Sequence, residues 1–241
     1  MSNFEEEYHK MSEDKDAYPF LPMFSMQISR YAYQIPYFYQ RWIRPERTFI
    51  FCGKPYKYFL HPYNTTWRNE RCVELAIVME YLRNQNPADI LEVGNVLSHY
   101  VRSAHTVIDR YERGRSVIAQ DIVDYQSNQS YQLVICISTL EHIGFDERPQ
   151  NPGKYKQAIQ VMRSMLTRGG KLIVTVPLGY NPAIDSDLEA GILPFDEIHF
   201  LKRTSYETWL ETQWNDVKDV AYGTPFRAAN AIAVCVGGPV L

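Results

Sequence analysis

Short apolar runs alternate with small or acidic residues in the middle of the chain. Four of these runs occupy positions 89–93, 106–109, 116–119 and 132–138, and all are rich in Val, Ile or Leu. Strands of a parallel sheet that is buried on both faces have this composition. The pattern therefore predicts an open α/β sheet, in which a ligand lies beyond the carboxyl ends of the strands.

The residues at the ends of these predicted strands carry the candidate chemistry. They are Glu92, Gly94, Asp109, Asp121 and Ser138. Three acids beside a glycine that permits close backbone approach suit a ligand that offers hydroxyls, an exocyclic amine and an ammonium group.

Five motifs along this region resemble, in their order and spacing, those of class I S-adenosylmethionine (SAM) dependent methyltransferases. The match covers roughly residues 65–238, and the chain is most similar to the small type 11-like set that often accompanies glycan or polysaccharide synthesis. It departs from that family's glycine loop, because Val96 and Ser98 stand where glycines are usual. The motifs are Glu92-Val93-Gly94, Asp109, Asp121-Ile122, Ser138-Thr139-Leu140-Glu141-His142 and Gly169-Gly170-Lys171-Leu172.

The resemblance implies a Rossmann-like, doubly wound sheet of seven mostly parallel strands that ends in an antiparallel hairpin. Apolar periodicity predicts helices over 69–84 and 149–166. After the first predicted strand only a short helix near 96–101 fits, and the spacers at 112–115 and between 121 and 131 are too short for full crossover helices. The remaining predicted elements are a helix end at the glycine pair 169–170, a strand at 171–177, a loop at 178–203, a helix at 204–213 opened by a capping box, and hairpin strands at 217–222 and 231–236.

The chain is expected to contain a catalytic domain at 65–241 behind an N-terminal extension at 1–64. Residues 1–16 are charged and predict a disordered tail. Nine of the chain's eighteen tyrosines fall within the first 63 residues, among six prolines that disfavour long regular elements. Two interpretations stay open for this arm: an aromatic lid or dimer contact, or tyrosines that simply pack on the domain.

Composition and charge limit the classes of partner and site that the chain is expected to have. The formal charge of −3 gives no basic surface for nucleic acid. The four cysteines show no Cys-x-x-Cys spacing and no nearby histidine, so neither a zinc site nor a redox pair is predicted. We find no secretory signal and no apolar run long enough to cross a membrane, and we expect the cytoplasm.

The resemblance implies SAM as the cofactor and assigns its methionine end to the first and fourth strands. Gly94 would allow close backbone approach, while Glu92 would orient that loop or reach the ammonium through water. Ser138 and Thr139 would face the methionine amine. Asn95 would either bind the carboxylate or occupy a left-handed turn.

The nucleoside end of SAM is assigned to the second and third strands. Asp109 would accept both ribose hydroxyls, and Arg110 beside it is included among the cofactor-binding residues. Asp121 would accept from the adenine amine, and Ile122 would supply its backbone N–H and an apolar cover. Three further contacts are considered near the first predicted helix, Tyr63, Asn64 and Arg71, against a purely structural alternative.

For methyl transfer, His142 is the leading candidate for a general base, because it follows the fourth strand and titrates near neutrality. Glu141, Tyr180 and His199 are further candidates, and a structural role is the alternative for both His142 and His199. The acids and the imidazole between 141 and 147 lack a settled ligand spacing, so no metal is predicted.

The sequence therefore predicts a SAM-dependent methyltransferase that modifies a small-molecule or glycan-linked acceptor at oxygen. A non-catalytic SAM-binding or scaffold protein is an alternative, because the glycine loop is altered. A nicotinamide-dependent oxidoreductase is a weaker one, because Gly-x-Gly-x-x-Gly is missing after the first strand.

Overall fold

The computed structural model describes Tyr39, Trp42 and residues 47–102, 104–114 and 116–240. Over these residues the strands are β1 Thr48–Phe51, β2 Lys54–Lys57, β3 Ile90–Val93, β4 Thr106–Asp109, β5 Val117–Ala119, β6 Tyr131–Ile137, β7 Leu166–Pro177, β8 Glu197–Ser205, β9 Thr208–Thr212 and β10 Ala231–Gly237. The α-helices are α1 Arg71–Leu82, α2 Lys154–Ser164, α3 Pro182–Glu189 and the single turn α4 Trp214–Val217.

Eight of these strands form one sheet in the order β5-β4-β3-β6-β7-β10-β8-β9. The first five strands in this order run parallel to one another. β10 is antiparallel to both of its neighbours, β7 and β8, and β9 is antiparallel to β8. The predicted α/β class with a mostly parallel, Rossmann-like sheet is confirmed.

The predicted helix at 204–213 is wrong, because this segment forms the turn and second strand of the β8–β9 hairpin. The reason lies in the side-chain alternation: Trp209 is 1% exposed and its neighbour Leu210 is 54% exposed. An alternation of period two is typical of a strand. The proposed capping residues instead close the hairpin turn, where the Thr204 hydroxyl donates to the Thr208 carbonyl. This hairpin gives the sheet its eighth strand.

Three further predictions for the second half of the chain also need correction. The glycine pair 169–170 lies inside β7 and does not end a helix, since α2 already stops at Ser164. Residues 217–222 form no strand, and β10 pairs with β7 and β8 in their place. The loop predicted at 178–203 contains α3 and the start of β8.

Two of the described α-helices agree with the sequence pattern. α1 and α2 lie within the predicted ranges 69–84 and 149–166. Over the residues that the structure describes, the spacers after β3 and β5 each contain one 3-10 turn, at Leu97–His99 and Ile122–Asp124. None of the described helices is long and apolar enough to cross a membrane.

Hydrophobic side chains fill both faces of the sheet. α2 and α3 pack on one face, where Val134, Val174 and Ile159 belong to one buried cluster. α1 packs on the other, where Leu75 and Ile135 are fully buried. Burial on both faces accounts for the near-continuous apolar runs of the central strands.

The β1–β2 hairpin lies inside the predicted N-terminal extension and packs on the domain. Phe49 and Phe51 are buried in one cluster with Val73 of α1, Trp209 of β9 and Val234 of β10. Tyr56 and Tyr58 are partly buried against the same cluster, so these two tyrosines of the arm pack on the domain. The other predictions for residues 1–46 lie outside the described residues, apart from Tyr39 and Trp42.

Candidate functional site

The carboxyl ends of β3, β4, β5 and β6 meet at one edge of the sheet, because these strands are parallel and adjacent. Gly94, Asp109, Asp121 and Ser138 lie at or just beyond these ends. Ile122, which follows Asp121, is 4% exposed. We call this region the carboxyl edge, and it brings together the positions that the sequence assigned to a cofactor.

Glu92 is fully buried in β3 and organises the loop that follows. The amides of Val96 and Leu97 donate to its Oε1 at 2.8 and 2.7 Å. Its Oε2 lies 2.7 Å from Nε2 of His105, which is also buried. A buried carboxylate needs such partners to offset its desolvation. These contacts correspond to the loop-orienting role among the two that were predicted for Glu92.

Gly94 opens this loop in a left-handed conformation, with φ of +85°. A Cβ atom at this position would lie 2.1 Å from Oγ1 and 2.8 Å from Cγ2 of Thr139. The loop after β3 therefore approaches the turn after β6 so closely that no side chain fits between them. The close approach expected of Gly94 is made to Thr139.

Asp109 holds the turn that follows β4. The amides of Tyr111 and Glu112 donate to its Oδ1 at 2.8 and 2.7 Å, and the Asn95 amide donates to Oδ2 at 3.1 Å. A carboxylate offers roughly four acceptor positions, so about one remains for a ligand. Asp109 is thus a link between the β3 and β4 loops as well as a candidate ribose ligand.

Glu112 is a candidate that the sequence analysis missed. Its Oε2 accepts from Nδ2 of Asn95 at 2.5 Å, and its Oε1 lies 3.4 Å from Nε2 of His99. Its side chain is 31% exposed at the carboxyl edge. Oδ1 of Asn95 is buried and has no hydrogen-bond partner among the described residues. The Asn95 side chain thus offers an unused acceptor beside a second carboxylate.

Asp121 belongs to a cluster of four charges. Lys154 and Arg110 both pair with its Oδ2, Arg110 at 3.1 Å. Both cations also bind Glu147, with 2.5 Å between Lys154 Nζ and Oε2. The Val123 amide donates to Asp121 Oδ1 at 3.1 Å. The Asp121 carboxylate, which was predicted to receive the adenine amine, is thus already engaged in ion pairs within the protein. Arg110 pairs with two acids, Asp121 and Glu147.

Ser138 has a positive φ of 37° and connects β6 to α1. Its hydroxyl donates to Glu74 Oε1 at 2.5 Å, and Glu74, which is fully buried, also pairs with Arg71. The charges of Glu74 and Glu70 raise the pKa of the Arg71 guanidinium despite the opposing effect of burial. Arg71, considered as a cofactor contact, therefore neutralises acids inside the protein.

Tyr63 and Asn64, which were considered as cofactor contacts, lie in the 3-10 turn before α1. The Tyr63 ring stacks on the His99 ring with centroids 4.9 Å apart and an interplanar angle of 8°. Because His99 contacts Glu112, Tyr63 lies near the carboxyl edge. Asn64 accepts at its carbonyl from Nδ2 of Asn69 at 2.8 Å, which fixes the turn before α1.

His142 lies in the turn after β6 with its side chain 43% exposed. Its Nδ1 contacts Asp146, and the Tyr180 hydroxyl donates to Oδ2 of the same carboxylate at 2.8 Å. The His142 and Tyr180 rings are 4.8 Å apart. Burial lowers the pKa of His142, but the Asp146 hydrogen bond and the negative charge of Glu141 outweigh it and raise the pKa. Asp146 therefore orients the imidazole and favours its protonation.

Glu141 is 1% exposed, and its Oε2 has no hydrogen-bond partner among the described residues. Its Oε1 lies 3.6 Å from Nε2 of His142. Burial raises the pKa of Glu141 to about 7, with His142 and Arg71 opposing and Glu74 adding to the shift. A buried carboxyl that titrates near neutrality beside a half-exposed imidazole can hold or release a proton.

His199 lies apart from these candidates, on β8 beneath the β1–β2 hairpin. Its ring nitrogens are 3.6 Å from Cys52 Sγ, and they approach Glu197 and Glu211 at 3.2 and 3.5 Å. Its ring packs edge-on against Phe51 with centroids 5.3 Å apart. The structure thus groups His199 with a cysteine and two acids and not with His142.

Comparison with known proteins finds similar solved structures but no similar sequence family. No protein-family model matches the chain, and a search of curated proteins finds no match. The N-methyltransferase NodS from Bradyrhizobium japonicum WM9, in complex with S-adenosyl-l-homocysteine, is 15% identical, with 69% of this chain and 85% of that chain covered and a TM-score of 0.44. An S-adenosylmethionine-dependent methyltransferase from Clostridium acetobutylicum ATCC 824 is 12% identical, covers 86% and 98%, and has a TM-score of 0.38. The magnesium protoporphyrin IX methyltransferase ChlM from Synechocystis PCC 6803, with bound SAM, is 14% identical, covers 67% and 76%, and has a TM-score of 0.37.

The contact between Gly94 and Thr139 predicts a large cost for a methyl group at this glycine. Gly169 is the matched control, because its φ of +84° is nearly the same and nothing lies within 4 Å of the added Cβ. Gly169→Ala should cost about 1–2 kcal/mol from the left-handed conformation alone. Gly94→Ala should cost about 1–3 kcal/mol more, because the core must shift. Urea unfolding measures both, and equal costs would contradict the close approach.

The buried Glu141 carboxyl predicts a pH-dependent stability. The folded-state pKa of Glu141 is raised from 4.5 to about 7. In this pH range the folded protein therefore binds more protons than the unfolded chain, and the contribution of Glu141 to stability falls as the pH rises. Glu141→Gln removes the buried charge and should be more stable than the wild type at pH 8 by up to about 3 kcal/mol, with little difference at pH 4.5.

Chemical unfolding of both proteins between pH 4.5 and 8 measures this difference. The exposed Glu189→Gln, at the end of α3, is the control and should give a flat difference. A flat difference for Glu141→Gln as well would show that the Glu141 carboxyl titrates in its ordinary range.

Proposed function

We propose that this protein is a SAM-dependent methyltransferase that methylates an oxygen of a small-molecule or glycan-linked acceptor. The observation that carries the proposal is the carboxyl edge itself. It places the Gly94 loop, the acid-bearing turn after β4, Asp121 and the Ser138 turn at the ends of adjacent parallel strands. Ligands of open α/β sheets bind outside such strand ends.

The altered glycine loop is compatible with a methionine site. Val96 replaces a glycine, but its amide and that of Leu97 are held by Glu92, so the loop is ordered without further glycines. Asn95 Oδ1 is a buried acceptor without a partner among the described residues. An ammonium or hydroxyl donor of the cofactor would satisfy it, which supports the fit of SAM at this position.

For the nucleoside end, we assign the ribose hydroxyls to Asp109 and Glu112. Asp109 has about one acceptor position left after binding three amides, and Glu112 is partly exposed beside it. Ile122 would cover the adenine ring. Asp121 would accept from the adenine amine only if it shares its carboxylate with Lys154 and Arg110.

The chain's own groups must move the proton of the acceptor. When bound, SAM supplies an activated methyl group, so the protein has to orient the acceptor and remove its proton. His142 is half exposed, is oriented by Asp146, and has its Nε2 3.6 Å from Oε1 of Glu141. We assign it the role of general base, with Tyr180 fixing Asp146 from the other side. His199 has no part in this assignment.

A non-catalytic SAM-binding protein is the second candidate, and the substitution of glycines by Val96 and Ser98 favours it. Binding of SAM without methyl transfer to any of a broad panel of hydroxylated metabolites and glycans would support this candidate against the first.

Isothermal titration with SAM and S-adenosylhomocysteine tests cofactor binding. Asp109→Ala should weaken binding roughly 10- to 100-fold, because it removes a charged hydrogen-bond acceptor. Asp89→Ala at the opposite end of β3 is the control and should leave the affinity unchanged. Because Asp109 also binds three amides, circular dichroism must show that the variant is folded. No binding of either ligand by the folded wild type at millimolar concentration would end the proposal.

Methyl transfer tests the role of His142. With any acceptor that the panel identifies, His142→Asn should lower kcat roughly 100- to 10,000-fold while the affinity for S-adenosylhomocysteine stays unchanged. Since the base must be deprotonated and its pKa is raised, the wild-type rate should rise with pH through and above neutrality. An unchanged kcat would contradict the role of His142 as general base and would attribute catalysis to positioning of the acceptor alone.

A further inference from the structure

A cysteine, a histidine and two glutamates converge where the β1–β2 hairpin meets the β8–β9 hairpin. Cys52 comes from the turn between β1 and β2, Glu197 and His199 from β8, and Glu211 from β9. The ligand atoms of Cys52, His199 and Glu211 all lie within 4.8 Å of one another. We infer that these three side chains form a zinc-binding site that fastens the hairpin to the edge of the sheet.

Two of the three separations between the ligand atoms match those of a tetrahedral site, and the third is no longer than 4.8 Å. Zinc binds sulfur at about 2.3 Å and nitrogen or oxygen at about 2.0–2.2 Å, so neighbouring ligand atoms are separated by about 3.3–3.6 Å. Cys52 Sγ lies 3.6 Å from the ring nitrogens of His199, and Nδ1 of His199 lies 3.5 Å from Oε1 of Glu211. The imidazole and the carboxylate are too far apart for a direct hydrogen bond, yet they are correctly spaced for a shared ion.

The remaining polar atoms of the ligands are oriented by neighbours. Oε2 of Glu211 accepts from the Cys52 amide at 2.9 Å, which leaves Oε1 facing His199. Nε2 of His199 lies 3.2 Å from Oε2 of Glu197, which leaves Nδ1 for the metal. A carboxylate on the second nitrogen of a zinc-bound histidine is a recurring arrangement that fixes the ring. Glu197 is therefore a positioning residue.

The choice of metal follows from the donor set. Thiolate, imidazole and carboxylate together suit zinc, whereas magnesium and calcium prefer oxygen ligands alone. Three protein ligands leave a fourth position for water. Cys52 is the exposed one of the four cysteines, so an ion can reach it from solvent.

The conformation of the turn adds a further observation. Cys52 and Gly53 have φ values of 49° and 70°, as in the two-residue hairpin turns that favour Asn-Gly or Gly-Gly. Cysteine is an unfavourable residue for the first of these positions on conformational grounds. The thiol of Cys52 contacts His199, which lies 147 residues further along the chain.

Zinc binding to the full-length chain tests the site directly. Competition with a chromogenic chelator should give one tight Zn²⁺ per chain. Cys52→Ser and His199→Gln should each weaken binding at least 100-fold, and Glu197→Gln should weaken it about 10- to 100-fold, as expected for an outer hydrogen-bond partner. Glu189→Gln, an exposed acid on α3, should bind as the wild type does.

Two readouts separate loss of the site from loss of the fold. Circular dichroism without metal should be the same for the wild type and the variants, and Zn²⁺ should raise Tm only where the three ligands are intact. Zn²⁺ should also slow alkylation of Cys52 by iodoacetamide, measured by mass spectrometry. If the wild type binds no zinc, or folded Cys52→Ser and His199→Gln bind it equally well, the inference is wrong. Neither result bears on cofactor binding at the carboxyl edge.

Discussion

The structure depends on a buried carboxylate at the end of the first parallel strand. Glu92 is fully buried and holds two loop amides and a buried histidine. Its desolvation must be offset by these partners, so the loop cannot relax without leaving a charge unpaired in the core. The loop in turn fixes Gly94 against Thr139 and the Asn95 amide against Asp109. The ends of three adjacent strands are thereby joined through one charge.

Acids dominate the surroundings of this edge, and the protein manages their repulsion in different ways. Asp121 and Glu147 share two cations, and Glu74 is neutralised by Arg71. Within the described part of the chain, Oε2 of Glu141 has no hydrogen-bond partner, and burial raises the pKa of this carboxyl to about 7. Carboxyls with such different surroundings, packed close together, are the type of environment that general acid and base chemistry uses.

The sequence predicted the central sheet well, because strands buried on both faces leave continuous apolar runs that local reading detects. The prediction of a helix at 204–213 was wrong. A short capping motif favours a helix there, but Trp209 is buried and its neighbour Leu210 is exposed, as on the two faces of a strand. The positions along the carboxyl edge were also predictable, since each follows a strand. Their partners were not: the amides on Asp109 and the cations on Asp121 depend on how loops fold back.

The order of strands in the sheet determines which strand edges stay unpaired while the chain is being synthesised. β10 lies between β7 and β8 in space but follows both, and β9, in the chain. Until residues 231–237 have left the ribosome, one side of β7 has unpaired backbone groups, and the β8–β9 hairpin has no strand to join it to the rest. Unpaired strand edges favour association with other chains. A nascent chain that pauses before β10 therefore exposes an edge of β7 at which it can associate with other chains.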